Sequence, residues 1–286
     1  MSVLLVKTTA ELTALEGTAT AGDTYFNSDT KNILVWDGSA WRAYQNDGAT
    51  GWSGTNNYYM STDGVDDYVR FGYDMSTAGT GDITLSLWVK PEDTGNSFIS
   101  WSPLGENRDR VGIGRNSSGK MYSFSRTGAT ANYDLNLTGT TTVNVGSWIH
   151  VAWARVGDTQ KLYVNGSQDA TGTKSGSTTT YGSTIQSGVI AWGALGVTTN
   201  IDEVSIFESE LSADQIDNIY HGLDSTATQT DRDNVTTPAP GNLMTFNPAA
   251  WYRMGDGAEN GSGLTVYDMS SNNYNATVNG ASYQPY

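Results

Sequence analysis

The 286-residue chain contains no cysteine and only two histidines, His150 and His221. The absence of cysteine excludes disulfide frameworks, thiolate nucleophiles and metal sites held by cysteine. Basic residues are also scarce, with 15 Lys and Arg against 30 Asp and Glu, so the formal net charge is −15. A chain this acidic repels phosphate backbones, and we therefore expect no nucleic-acid partner.

Long apolar runs are missing as well. No stretch is long enough to cross a bilayer, so we expect no membrane insertion. The first seven residues have a short apolar stretch and no basic leader, which predicts that there is no signal peptide. The chain is instead rich in turn formers and aromatic residues, with 33 Gly, 9 Trp and 16 Tyr. Turn formers that alternate with β-branched and aromatic residues are typical of an all-β fold.

The residue pattern divides the chain into five segments. Residues 1–44 are predicted to form a small module, with a capping box at Thr8–Glu11 before a short helix and a hairpin around Asp37-Gly38. Residues 45–57 and 225–242 are rich in polar residues, Gly or Pro and are predicted to be linkers. Residues 58–224 form the main domain. Residues 243–286 are a β-rich tail that either completes the main domain or contacts another subunit.

Strand signals recur at short intervals in the main domain. The stretch Ile83–Pro91 alternates apolar residues with polar residues and Trp88, which predicts a half-buried antiparallel strand. The turn Asn165-Gly166 predicts a hairpin, and a capping box at Ser212–Gln215 predicts a single helix. Many strands with one helix predict an antiparallel two-sheet jelly-roll sandwich.

Five segments in this order resemble the concanavalin A-like, laminin G-like jelly-roll superfamily: Asp63-Gly-Val-Asp-Asp-Tyr-Val69, Ile83–Pro91, Trp148-Ile-His-Val-Ala152, Leu162-Tyr-Val-Asn-Gly166, and Ile201–Phe207 before Leu211–Ile216. The resemblance implies a concanavalin A-like sandwich. Lectins, adhesins, hydrolases and structural proteins share this fold, so the resemblance implies no single function. The stretch Ala21–Asn27 with Trp36–Trp41 resembles modules of tailed-phage structural proteins.

Calcium is the metal that suits this composition, because carboxylate and carbonyl oxygens are its preferred ligands. The resemblance to laminin G-like sites implies that the loop with Asp63 and Asp66 supplies ligands and that Asp202 approaches from a later strand. In the alternative interpretation, Asp63-Gly64 is a turn and Asp202 is a hydrogen-bonded residue of the fold. Apart from calcium, we expect no cofactor.

Catalysis is not expected from this sequence. Hydrolases of the family use paired carboxylates in a Glu-x-Asp-x-x-Glu pattern, and that spacing is absent. Asp202 and Glu203 are adjacent, so on a strand they point to opposite faces. No Ser–His–Asp constellation is indicated either. We therefore predict a protein that is not an enzyme.

Exposed aromatic residues suggest a glycan-binding surface, because the faces of sugar rings stack on aromatic side chains. The candidate residues are Trp88, Trp101 and Trp192. Trp88 alternates with the apolar face of its strand. In the alternative interpretation it lies under the tail or under a partner subunit.

These features predict a phage virion structural protein on the virion surface, as a capsid-decoration protein, a head fibre or a tail-associated protein. We expect the N-terminal module to attach to other virion proteins and the jelly roll to adhere to host-surface glycans. The predicted assembly residues of the module are Tyr25, Phe26, Trp36 and Trp41. We also expect a homo-oligomer, for which we predict a trimer. Two alternatives stay open, a carbohydrate-binding adhesin module of a bacterial surface protein and a polysaccharide hydrolase.

Overall fold

The computed structural model describes residues 5–15, 17–20, 23–27, 33–36, 41–44, 58–64, 67–74, 81–92, 96–101, 110–126, 135–174, 188–190, 198–254 and 265–286. It contains two compact units, Met1–Gly54 and Thr55–Tyr286. Within these ranges the secondary structure is mostly antiparallel β-sheet with few helices, which confirms the predicted fold class. No helix of the described ranges is long and apolar enough to span a membrane.

The first unit is a four-stranded sheet with one helix. It consists of β1 (Leu5–Lys7), α1 (Thr9–Leu15), β2 (Thr24–Asn27), β3 (Ile33–Trp36) and β4 (Trp41–Tyr44). The strands lie in the order β1-β2-β3-β4, with β1 parallel to β2 and the other pairs antiparallel. The predicted capping box is confirmed, because the Thr8 N–H donates to Glu11 Oε2 and the Glu11 N–H donates to Thr8 Oγ1. The predicted hairpin is the β3–β4 pair.

The second unit is a sandwich of two eight-stranded antiparallel sheets. The sheet that carries the main helix is called the helix-side sheet. In spatial order it contains β14 (Ser167–Thr173), β13 (Thr159–Val164), β12 (Ile149–Val156), β7 (Ile83–Pro91), β16 (Thr198–Phe207), β5 (Tyr58–Asp63) and β20 (Ser282–Pro285), with β17 (Ala250–Tyr252) beside β16. The opposite sheet contains β11 (Leu135–Thr142), β10 (Lys120–Arg126), β9 (Arg110–Arg115), β8 (Asn96–Trp101), β15 (Gly188–Ile190), β6 (Tyr68–Arg70), β19 (Ala276–Asn279) and β18 (Thr265–Val266).

The main core lies between the two sheets. Alternate residues along each strand point inward because the side-chain period of a strand is two. From β7 and β12 the inward set is Ile83, Leu85, Leu87, Val89, Ile149, Val151 and Trp153. The predicted Asn165-Gly166 turn is also confirmed, since both residues have the positive φ of a two-residue hairpin loop, 49° and 78°.

A second core covers part of the outer face of the helix-side sheet. Helix α2 (Ala213–Tyr220) begins at the predicted capping box, with Ser212 and Gln215 bonded reciprocally. With the 3₁₀ turn Leu243–Phe246 it buries a set of side chains on this face: Ala152, Ala154, Tyr163, Phe207, Leu211, Ile216, Ile219, Leu243, Phe246 and Trp251. The prediction of a half-buried strand over Ile83–Pro91 is therefore wrong. Three of its outward residues, Thr84, Ser86 and Trp88, are buried as well, because the segment around α2 packs on this part of the strand.

The predicted tail belongs to the sandwich in the structure. β17 and β20 pair within the helix-side sheet, and β18 and β19 pair within the opposite sheet. Asp268 anchors the tail by accepting hydrogen bonds from the backbone N–H groups of Trp251, Ser270 and Tyr274. Of the two alternatives, the structure thus has the tail completing its own sheets.

The second predicted linker is not a plain linker. Residues 225–242 contain α3 (Gln229–Asp233), which begins at a capping box formed by Thr228 and Asp231. Arg232 is buried and ties α3 to α2 through Asp214 and Asn218. The prediction of a linker is wrong here because the polar residues are used in capping and in this buried contact. The first predicted linker, residues 45–57, lies outside the described residues.

Candidate functional site

The predicted calcium ligands do not form one site. The β5–β16 register places Asp63 opposite Thr198, four residues before Asp202, so the backbone positions of the two aspartates are offset by roughly 13 Å along the strands. Asp202 is fully buried, and it accepts hydrogen bonds from the Glu203 N–H (2.8 Å) and the Tyr286 hydroxyl (2.7 Å). Asp202 is therefore the hydrogen-bonded residue of the alternative interpretation, and its assignment as a calcium ligand is wrong.

The loop that carries the other two candidates has the features of a turn. Gly64 has a φ of 79°, a conformation that favours glycine, and the Asp63 N–H donates to Asp67 Oδ2 at 2.9 Å. Asp66 lies outside the described residues. Within the described ranges, no group of three His, Asp or Glu side chains is arranged to hold a metal ion.

The structure places Trp88 in the second core and not on the surface. It is 8% exposed, its ring stacks on Tyr220 at 5.8 Å between centroids, and His150 lies at 5.6 Å. A ring covered in this way has no free face for a sugar, so the expectation for Trp88 is wrong. The side chain of Trp101, in β8, and the whole of Trp192 lie outside the described residues.

A serine and a histidine meet beside Trp88, but they are sealed from solvent. Ser86 Oγ lies 2.7 Å from His150 Nε2, and His150 is completely buried. Burial, with a smaller contribution from His221, lowers the pKa of His150 to about 3. His150 Nδ1 has no hydrogen-bond partner among the described residues. The pair therefore lacks the orienting carboxylate and the access that a nucleophilic site needs.

The predicted assembly residues are only partly described. Trp36 is buried at 5% exposure, and Tyr25 is half-buried. Phe26 and Trp41 lie in strands, but their side chains are outside the described set. The burial of Trp36 corrects the expectation that this ring is presented to a partner. Among the described side chains of this unit, the large apolar ones that are exposed are Leu5 and Val6 of β1, at 58% and 62%.

Three partly exposed aromatic residues gather on the outer face of the helix-side sheet, beyond the area that α2 covers. Tyr59, Trp148 and Tyr286 form this aromatic cluster, with ring centroids 5.2–5.4 Å apart. The Tyr59 ring is edge-on to the other two, at 75° to Trp148 and 70° to Tyr286. Tyr286 is 54% exposed, and its hydroxyl is held by the buried Asp202.

Polar groups of both signs lie next to the aromatic cluster. Lys90 Nζ is 6.0 Å from the centre of the Tyr59 ring and 3.0 Å from Glu92 Oε1. The Asn200 side-chain amide donates to the same Glu92 oxygen at 2.8 Å. In the described ranges these contacts all use Oε1, so Glu92 Oε2 stays available as an acceptor. The aromatic cluster thus lies beside a hydrogen-bond donor, Lys90, and an acceptor, Glu92, whose charges offset each other.

Sequence reasoning missed this cluster. Its three residues come from β5, from the residue before β12 and from the residue after β20, so no local pattern joins them. The available signal was alternation: Tyr59 precedes Met60, which is fully buried, and Trp148 precedes the buried Ile149. Each ring therefore had to point outward once its neighbour pointed inward.

Comparisons with known proteins bear on the fold. Residues 63–217, just over half of the chain, match the family model described as Concanavalin A-like lectin/glucanases superfamily. No curated protein matches the chain. Among solved structures, a candidate carbohydrate-binding protein from Bacteroides ovatus is similar over 93% of this chain and 70% of its own, with 14% identity and a TM-score of 0.52.

Two further solved structures are similar over a smaller part. The CBM40 of a Ruminococcus gnavus IT-sialidase, bound to α2,3-sialyllactose, is 13% identical with a TM-score of 0.45, over 58% of this chain and 99% of its own. The heptameric pentraxin of Limulus polyphemus is 14% identical with a TM-score of 0.42, over 57% of this chain and 82% of its own. At these identities the likeness concerns the fold alone.

Proposed function

The chain belongs to the Concanavalin A-like lectin/glucanases superfamily, and from this premise we propose that it binds carbohydrate without cleaving it, through the aromatic cluster. The observation that carries the proposal is the grouping of Tyr59, Trp148 and Tyr286 beside Lys90 and Glu92. The C–H faces of sugar rings stack on aromatic rings, while carboxylates, amides and ammonium groups bond to sugar hydroxyls. The cluster offers both kinds of contact.

The carboxylates near the cluster support binding over hydrolysis. A glycosidase needs two carboxyl groups that flank the bond to be cleaved, about 5–5.5 Å apart in retaining enzymes or 6.5–9.5 Å in inverting ones. Glu92 has an available oxygen, but Asp202 is buried and bonded to the Glu203 N–H and the Tyr286 hydroxyl. Glu203 is engaged by Trp251 and Arg253. These residues do not form an acid–nucleophile pair.

A glycan array followed by titration calorimetry tests the proposal. We expect the full chain to bind at least one glycan, and Trp148→Ala to weaken that binding at least tenfold. Tyr267→Ala is the control, because Tyr267 is an exposed tyrosine outside the aromatic cluster. The absence of any ligand at millimolar concentration, or a ligand that Trp148→Ala does not affect, contradicts the proposal. Release of reducing ends from a bound polysaccharide would instead favour the hydrolase.

The setting of the protein is the finer part of the proposal. We propose a phage virion structural protein, a homotrimer that attaches through its first unit and displays the sandwich for adhesion to host-surface glycans. What supports an attachment role is the separate first unit, whose edge strand exposes Leu5 and Val6. Mass spectrometry and cryo-electron microscopy of purified particles test it. Absence from virions together with presence on a bacterial surface favours the adhesin module instead.

A further inference from the structure

A row of outward-facing polar side chains runs across the helix-side sheet beside the aromatic cluster. Lys90 on β7 pairs with Asn200 on β16, Asn200 pairs with Ser61 on β5, and Ser61 pairs with Ser282 on β20. We call Lys90, Asn200, Ser61 and Ser282 the polar row. Lys90, Asn200 and Ser61 lie on the outer side of the sheet because their chain neighbours Val89, Ile201 and Met60 are completely buried between the sheets. Ser282 is exposed and Lys90 and Ser61 are half-buried, whereas Asn200 is only 5% exposed and its side-chain amide donates to Glu92.

Trp148 extends this row by one strand. Ile149 on β12 pairs with Val89 on β7, so Trp148, one residue earlier, lies at the level of Lys90. From β12 to β20 the row therefore crosses five adjacent strands, a distance of roughly 19 Å at about 4.8 Å between strands. That length is several times the width of one pyranose ring.

The chemistry along the row fits the hydroxyl groups of a neutral sugar chain. Serine hydroxyls both donate and accept, Lys90 only donates, and Glu92 only accepts. Lys90 forms an ion pair with the neighbouring Glu92 at 3.0 Å, so the one charge of the row is offset by a carboxylate beside it. The chain as a whole carries −15, which disfavours the approach of carboxylated or sulfated glycans.

We infer that the aromatic cluster and the polar row form one extended site, which binds a linear, neutral oligosaccharide of several units across the strands. This inference rests on the proposed function and adds the length and the charge class of the ligand. The rings of Tyr59, Trp148 and Tyr286 contact the faces of the sugar units. Lys90, Ser61 and Ser282 contact the hydroxyl edges of the same chain, while the buried Asn200 holds Glu92 beside them.

Titration calorimetry with oligosaccharide ladders tests the length. The probes are cello-, malto-, xylo- and manno-oligosaccharides of one to six units, with sialyllactose as the acidic comparison. In the ladder that binds, we expect the affinity to rise at least tenfold from the disaccharide to the tetrasaccharide and to level off after that. Equal affinity for the monosaccharide and the hexasaccharide overturns the inference, and so does tighter binding of sialyllactose.

A blocking variant tests the position of the site. Ser282→Arg places a large side chain at the far end of the polar row. It should abolish the rise in affinity with oligosaccharide length, while the affinity for the disaccharide stays within twofold of that of the unchanged chain. Asn136→Arg is the matched control, since Asn136 is exposed on β11 of the opposite sheet. If Asn136→Arg removes the length gain and Ser282→Arg does not, the inference is overturned.

The proposed function has its own separate outcome. Binding that depends on Trp148 but not on ligand length refutes the extended site and retains the carbohydrate-binding surface. Binding that does not depend on Trp148 refutes both.

Discussion

The outer face of the helix-side sheet has two halves that both carry aromatic residues, and the two halves differ in how far those residues are buried. One half carries Trp88 and His150 under Tyr220 of α2, and its rings are buried in the second core. The other half carries the aromatic cluster, and its rings remain partly exposed. The two halves share β7, β12 and β16 with their flanking residues, and the open half also includes β5.

The two halves differ because α2 and the segment around it cover only one of them, and not because their residue types differ. Leu211 and the capped start of α2 bring the helix back onto β7, where the Leu211 N–H donates to the Thr84 hydroxyl oxygen. Arg232 then holds α3 against α2. An aromatic residue under this cover stabilises the fold, whereas an aromatic residue beyond it is available to a ligand. Asp202 lies between the halves and holds Tyr286.

Removing a ring from the covered half should have the largest effect. We expect Trp88→Ala to lower the free energy of unfolding by about 3–5 kcal/mol, because a fully packed tryptophan leaves a cavity. Trp148→Ala, which removes a half-exposed ring, should cost roughly 1 kcal/mol or less. Urea unfolding followed by circular dichroism measures both. Equal losses for the two variants would mean that the open half is also structural.

Acid should destabilise the covered half through His150. Its pKa is about 3 in the folded protein, below the ordinary value near 6.5, so between these pH values the unfolded chain binds a proton that the folded chain does not. The contribution of His150 is fully present above pH 6.5 and is lost as the pH falls toward 3. From pH 7 to pH 5 we expect a loss of roughly 2 kcal/mol.

Urea unfolding at the two pH values checks this loss. His150→Gln should flatten the dependence between pH 7 and pH 5, and His221→Gln, the control, should leave most of it in place. A dependence that disappears only in the His221 variant would contradict the assignment to His150.

Removing a ring from the open half should affect binding and leave the fold intact. We expect Tyr59→Ala to weaken the binding of the best ligand about tenfold, which equals about 1.4 kcal/mol. Calorimetry of the folded variant measures the effect, with Tyr267→Ala as the control. A loss of less than twofold would remove Tyr59 from the site.

The smallest expected effect concerns the hydrogen bond from the Tyr286 hydroxyl to Asp202, which joins the two halves. Tyr286→Phe keeps the ring but removes the hydroxyl that donates to Asp202 Oδ2. We expect a loss of about 0.5–1.5 kcal/mol in stability and a few-fold loss in binding, because the ring is held less firmly. A double-mutant cycle with Asp202→Asn measures the coupling. Strictly additive effects would show that the hydroxyl does not position the ring.

Local patterns predicted the elements whose geometry depends on a few neighbouring residues. The capping box at Ser212–Gln215 located α2, and Asn165-Gly166 located a hairpin. The similar box at Thr228–Asp231 was available for α3, but the polar composition around it indicated a linker instead. Alternation over Ile83–Pro91 identified the strand and its inward face correctly.

The sequence alone therefore determined the all-β class, most strands of the sandwich and the capped helix α2, because backbone preferences and side-chain period act over a few residues. Tertiary structure decided what each outward face became. Whether Trp88 is covered depends on where α2 returns, and whether Asp202 meets Asp63 depends on the β5–β16 register. The aromatic cluster likewise forms only because sheet pairing brings Tyr59, Trp148 and Tyr286 together. Such contacts join residues far apart in the chain, and no local preference encodes them.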